Sequence, residues 1–234
     1  MSSSLTQAES LLAGLGTPEL VPAPGGGGAL LHPETAQALR SLQAEAARAG
    51  FQVEVASGYR DFSRQLAIWN AKARGQRPLL DARERVLDPA SLTPLERVHA
   101  ILRWSALPGA SRHHWGTDLD VFDRAALPPG QGPQLRADEA APDGPFGPLH
   151  AWLDAHLHRF GFFRPYATDR GGVSPERWHL SYAPLSLPAG RAHSPALLRR
   201  VLEGTDLELK DEVLAELPGL WARYVDNVAL PGFA

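Results

Sequence analysis

The sequence predicts an α+β protein: a small, mostly antiparallel sheet flanked by helices and followed by a helical C-terminal extension. Three observations lead there. Short β-rich stretches, FQVEVA at 51–56, TDLDVF at 117–122 and WHLSYA at 178–183, alternate with segments whose apolar residues recur at helical spacing. Glycine and proline, 22 and 21 residues, gather at 22–28, 128–133 and 142–148 and punctuate the chain. From about residue 194 the strand pattern is gone and the periodicity is helical throughout.

The elements follow in order. Residues 1–31 read as an N-terminal arm, set off by PAPGGGG, and the body runs from 32 to 190. PETAQALRSLQAEAARAG places Leu39, Leu42 and Ala46 on one helical face and stops at Gly50. FQVEVA is a strand, after which SGYRDFSRQLAIWNAKARG turns sharply into a second helix with Leu66 and Trp69 on one side. PLERVHAILRW, from 94, is a third helix. It lies in a stretch, 72–108, long enough to form a cap over a cleft. A strand at 117–122, a helix at 148–160 ended by Gly161 and a strand at 178–183 complete the body. Residues 191–234 are expected to pack as a helical appendage.

Composition removes several function classes. With 234 residues, 44% of them hydrophobic, the chain can bury a substantial core. The formal net charge of −3 gives no polyanion-binding surface, so nucleic acid is not an expected partner, although 21 of the 23 basic residues are arginine. The absence of cysteine excludes disulfides, thiolate metal ligands and cysteine nucleophiles, so a metal here must sit on nitrogen and oxygen. No run approaches the ~18 apolar residues of a membrane span. MSSSLTQAES shows no basic stretch leading into an apolar one, which predicts a soluble, unexported chain.

Three segments carry chemistry. In SRHHWGTDLDVF, 111–122, a turn at Gly116 leads into a strand on which Asp118 and Asp120 share a face, aimed back toward His113. Such a cluster is costly to bury without a cation or a hydrogen-bond network; the same residues also read as a solvated turn with Asp120 paired to an arginine. In VSPERWHLSY, Glu176 stands three residues before His179 with Trp178 between them. A nitrogen ligand, a nearby carboxylate and an aromatic wall suit a catalytic metal site. Glu176 and His179 have opposite strand parity, so a bend after Pro175 is required. The plainer reading makes Trp178 core and Glu176 a surface partner of Arg177 or Arg170. In SGYRDFSRQ, Arg60 projects from the turn and Gln65 follows about a turn and a half later. Arginine there suits a carboxylate or a developing oxyanion.

Together, SGYR-x4-Q at 57–65, S-x-H-x2-G-x3-D at 111–120 and E-x-W-H at 176–179 resemble the zinc D,D-carboxypeptidases of the VanY type and their L,D-carboxypeptidase relatives, which share a metal fold with the Hedgehog signalling domain. The resemblance spans roughly residues 33 to 184. It implies one Zn2+ held by His113, Asp120 and His179, with water in the open position and Glu176 as the general base. It further implies Arg60 on the oxyanion or the substrate, and Ser111, Gln65 and Tyr166 among the peptide contacts. The implied substrate is a peptidoglycan stem peptide or muropeptide, the implied reaction D,D-carboxypeptidase hydrolysis, with L,D-carboxypeptidase or endopeptidase cleavage as alternatives. A non-catalytic, zinc-stabilised peptide- or wall-binding module is the reading of another class, and Glu176 discriminates against it. Two positions depart from the pattern: Asp118 stands where the family has a small residue, and Ser181 where arginine is common. Asp118 either orients a ligand histidine or faces solvent. His150, His156 and His158 read as surface or packing residues, His99 as part of the cap, and His114 as pointing away from the site. The wall substrate points to the cell envelope and the N-terminus to the cytoplasm; a role on recycled wall peptides reconciles them.

Overall fold

Local signals start the helices at residues 62 and 94 where the sequence places them. The computed structural model describes residues 4–232. In chain order the elements are α1 Gln7–Leu12, β1 Val21–Pro22, β2 Leu30–Leu31, α2 Pro33–Arg48, β3 Val53–Ser57, α3 Phe62–Ala73, β4 Leu79–Leu80, β5 Val86–Leu87, α4 Pro94–Leu102, β6 Asp118–Asp123, α5 Gly147–His156, β7 Phe162–Phe163, β8 His179–Tyr182, α6 Ala183–Ala192, α7 Pro195–Glu203, α8 Lys210–Ala215 and α9 Leu217–Leu220. Asp61 caps α3 by accepting from the Arg64 amide. Thr93 and Glu96 close a reciprocal capping box at α4, with Pro94 at its first position.

The main sheet has four strands in the order β3-β6-β8-β7, and every pairing is antiparallel. All six residues of β6 are buried. Its alternation therefore divides two buried environments rather than core from water. Leu119 and Val121 join Leu180, α2 and α5 in the main core, while Asp118 and Asp120 take the other face. Each Leu or Val buried there contributes about 1.5–3 kcal/mol.

A second core alters the expected organisation of the chain. Trp69 of α3, Leu79 and Ile101 from the 72–108 stretch, and Leu198, Val213 and Leu220 from the C-terminal helices are buried in one cluster. The C-terminal helices are thus not an appendage: they and the 72–108 stretch bury one another's apolar faces and form one helical half of the molecule. The N-terminal segment is likewise packed rather than loose. Ala13 is fully buried, the Phe62 amide donates to the Gly14 carbonyl, and the Trp115 indole donates to the Leu12 carbonyl.

Candidate active site

Strand register assembles the site. The β6–β8 pairing sets Asp120 opposite His179 and Asp118 opposite Ser181, and the β3–β6 pairing brings Ser57 to the other side of Asp120. His113 arrives from a 3-10 turn, Arg112–Trp115, which ends at Gly116. Gly116 has φ +67°, and a Cβ there would stand 3.0 Å from the His32 amide nitrogen, so this reversal into β6 requires glycine. Glu176 reaches the same place because the chain turns between Glu176 and His179, closed by the His179 amide donating to the Glu176 carbonyl at 3.1 Å. This is the bend after Pro175 that the strand parity requires.

His113, Asp120 and His179 are all buried, and their ligand atoms lie within 4.8 Å of one another. His113 Nδ1 donates to the Gly58 carbonyl at 2.8 Å, which leaves its Nε2 facing Asp120 Oδ2 at 3.5 Å. His179 is turned the other way. Its Nε2 donates to Asp118 Oδ1 at 3.0 Å, and its Nδ1 lies 3.2 Å from Asp120 Oδ1 and 3.7 Å from Glu176 Oε2. Asp120 Oδ1 is buried without a hydrogen-bond partner. Two ring nitrogens and an unsatisfied carboxylate oxygen converging in a buried space fit a divalent cation.

Asp118 is wholly buried, which excludes its solvent-facing reading. Besides His179 it accepts from Arg112 Nε at 2.7 Å, Thr117 Oγ1 at 2.8 Å and Ser181 Oγ at 3.1 Å. Arg112 also donates to Ser181 Oγ at 2.7 Å. Burial would raise the Asp118 carboxyl, but Arg112 and His179 outweigh it and hold it at about 2. Burial would likewise lower His179, and the hydrogen bond to Asp118 together with the negative charge of Asp120 raises it instead. Glu176 goes the other way: burial lifts its carboxyl to about 7, a value suited to accepting and returning a proton near neutrality.

The expected peptide contacts separate into two groups. Arg60, Ser111 and Tyr166 line the same cavity as the cluster, and the Tyr166 ring meets the His179 ring edge-on with centroids 5.0 Å apart. Gln65 does not line it. Its side chain is fully buried, with Oε1 accepting from Arg60 Nη1 at 2.8 Å and Nε2 donating to the Ala106 carbonyl at 2.7 Å, so Gln65 holds Arg60 in place instead of meeting a ligand. Trp178 is both core and cavity wall. Glu176 pairs with neither Arg170 nor Arg177; the latter reaches Asp154 instead. His114 points away, as expected, with Nδ1 on the Arg60 carbonyl and Nε2 accepting from the Gly109 amide. Of the histidines on α5, His150 is buried. Sequence reasoning missed Arg112, which carried no distinguishing signal among 21 arginines.

An antiparallel sheet whose central strand presents a carboxylate between two imidazoles, with a further carboxylate beside them, is the residue set of a hydrolytic metal centre. Residues 28–185 match the family model described as VanY: D-alanyl-D-alanine carboxypeptidase, and the chain belongs to that family. It is 35% identical over 121 residues to an uncharacterized protein of Haemophilus influenzae, covering 51% of this chain and 92% of that protein. It is 28% identical over 162 residues to a D-alanyl-D-alanine carboxypeptidase of Enterococcus faecalis, covering 68% of this chain and 50% of that enzyme. Among solved structures, its fold is similar to a mutant of the vancomycin resistance D,D-pentapeptidase VanY in complex with Zn(II), with TM-score 0.52 and 23% identity over 84% of this chain and 90% of that one. VanYB in complex with D-alanine-D-alanine gives TM-score 0.51 and 24% identity over 86% and 90%.

Proposed function

We propose that this chain is a one-zinc D,D-carboxypeptidase that removes the terminal D-alanine from peptidoglycan stem peptides. The observation that carries the reading is Glu176, held with its Oε2 3.7 Å from His179 Nδ1, beside the buried His113–Asp120–His179 cluster. A site that only bound a peptide or a structural metal has no need of a proton acceptor there. His113 Nε2, an Asp120 oxygen and His179 Nδ1 would hold the ion, a nitrogen and oxygen donor set that suits Zn2+ in an open site. When bound, Zn2+ supplies Lewis acidity, which polarises a carbonyl and lowers the pKa of water.

The residues do the rest. Glu176 takes a proton at its carboxylate and returns it to the leaving amine. Arg60, its guanidinium braced by Gln65 and Ser57, presents a fixed fork of donors to a carboxylate or a developing oxyanion. Tyr166 and Trp178 wall the site. The decisive experiment incubates the zinc-loaded protein with defined tetrapeptide and pentapeptide stems and weighs the products. Free D-alanine from the pentapeptide alone is the expected result. Release from the tetrapeptide would make it an L,D-enzyme, a released dipeptide an endopeptidase, and no cleavage of any stem would leave a binding module.

A further inference from the structure

The cavity around the His113–Asp120–His179 cluster measures about 750 Å3. That is within the about 300–1,000 Å3 of pockets that enclose drug-sized molecules, and far more than two alanyl residues fill. Its walls come from the two halves of the molecule. The sheet half contributes the ligands, Arg60 and Tyr166, and the helical half contributes an apolar wall that includes Leu102 and Trp104 from the 72–108 stretch and Trp221, Val228 and Leu230 from the C-terminal segment. The last three lie beyond the residues matched by the family model.

The C-terminal segment is fastened to the loop that carries Tyr166 and Glu176. The Ala229 amide donates to the Pro165 carbonyl at 2.8 Å, the Asn227 side chain exchanges hydrogen bonds with Arg170, and Arg223 Nε donates to the Gly171 carbonyl at 2.6 Å. A Cβ on Gly172 would stand 2.1 Å from the Arg223 carbonyl oxygen, so the approach of the two backbones depends on glycine at that position. This wall is held at a fixed place relative to the site.

Charge decides which part of a peptide it meets. Of the other arginines lining the cavity, Arg112 is committed to Asp118 and Ser181, Arg170 to Asn227, and Arg191 is exposed to solvent. Arg60 lines the cavity from the sheet half with its guanidinium held by Gln65 and Ser57, a fixed fork of donors suited to the terminal carboxylate. The apolar wall is then left for the acyl side of the cleaved bond. We propose that the C-terminal segment around Trp221–Leu230, together with Trp104, is the subsite for the acyl part of the substrate, gripping the aliphatic surface of the residues that precede the scissile bond, so that the chain selects longer stems over a bare D-alanyl-D-alanine. This rests on the peptidase reading above.

The test measures kcat and KM of the zinc-loaded full chain on a pentapeptide stem and on N-acetyl-D-alanyl-D-alanine, for the parent, Trp221→Ala and Leu230→Ser. Trp221→Ala should raise KM for the pentapeptide about tenfold, equivalent to ~1.4 kcal/mol of lost contact, and raise it much less for the short substrate, with kcat little changed. Leu230, 74% exposed at the rim, can be replaced without risk to the fold and should shift the same ratio about threefold. Equal losses on both substrates in folded variants, or a parent that cleaves both with equal kcat/KM, would overturn the subsite. Should Trp221→Ala fail to fold, Leu230→Ser decides alone. A parent that cleaves neither substrate refutes the D,D-carboxypeptidase reading, and the subsite falls with it.

Discussion

Replacing Asp118 by Asn tests whether the carboxylate behind His179 tunes the metal site. In the parent, Asp118 Oδ1 accepts from His179 Nε2 and Arg112 Nε while Oδ2 accepts from the Thr117 and Ser181 hydroxyls. An asparagine can put its oxygen toward His179 and Arg112, and its amide toward the two hydroxyls, whose oxygens can accept. Shape and hydrogen bonds survive; the charge does not. With the charge go the added basicity of the imidazole and the compensation of Arg112, a guanidinium only 8% exposed. Losing such a partner to a ligand histidine costs about 10–100-fold in metal affinity, or about 1.4–2.7 kcal/mol. Competition with a chromogenic zinc chelator at fixed pH reads this directly. An unchanged zinc Kd in a folded Asp118→Asn protein would refute the tuning role.

Asp118→Ala separates tuning from stability. It strands Arg112 as a buried, uncompensated cation, which typically costs about 3–5 kcal/mol. Adding Arg112→Met removes that charge and should return most of the stability while leaving zinc affinity low. If the double variant bound zinc as tightly as the parent, the carboxylate would matter only as Arg112's partner.

Three further outcomes are expected. Glu176→Gln should keep zinc and lower turnover about 10²-fold or more, measured as D-alanine release; near-normal hydrolysis would assign the proton to another group. His113→Ala and His179→Ala should each lose the single equivalent of zinc by elemental analysis, and full occupancy in both would remove them as ligands. His150 is held neutral by burial and Arg164, its pKa lowered to about 3. The stability it contributes is therefore complete above the ordinary imidazole pKa of about 6.5 and is lost as pH falls below it. Denaturant titrations at pH 7 and pH 5 should show His150→Gln, which keeps an acceptor for Arg164, losing about 2 kcal/mol less than the parent over that interval. Parallel pH dependence in the two proteins would show that His150 is not what acid attacks.

What could be read in advance follows from how far apart the interacting residues are in the chain. His113, Asp120, Glu176 and His179 stand out because metal and proton chemistry admits few residue types and each motif is short; strand parity already put Asp118 on the face of Asp120. Parity cannot say what that face meets. That Asp118 backs His179 follows from the β6–β8 register and from Arg112, in the turn before β6, folding back onto that strand. Gln65 illustrates the opposite error. Its residue type suits a peptide contact equally well as a brace for Arg60, and only the burial of its side chain decides between them. The helical half was the least legible part. The helical periodicity of residues after 194 announces a buried stripe, yet it carries no information about the partner, which lies about a hundred residues earlier around Leu79 and Ile101. Because those two segments bury each other's stripes, neither can be assigned alone. The wall that they make for the catalytic cavity is a property of the pair, fixed only when non-local packing brings the C-terminal helices to the 72–108 stretch.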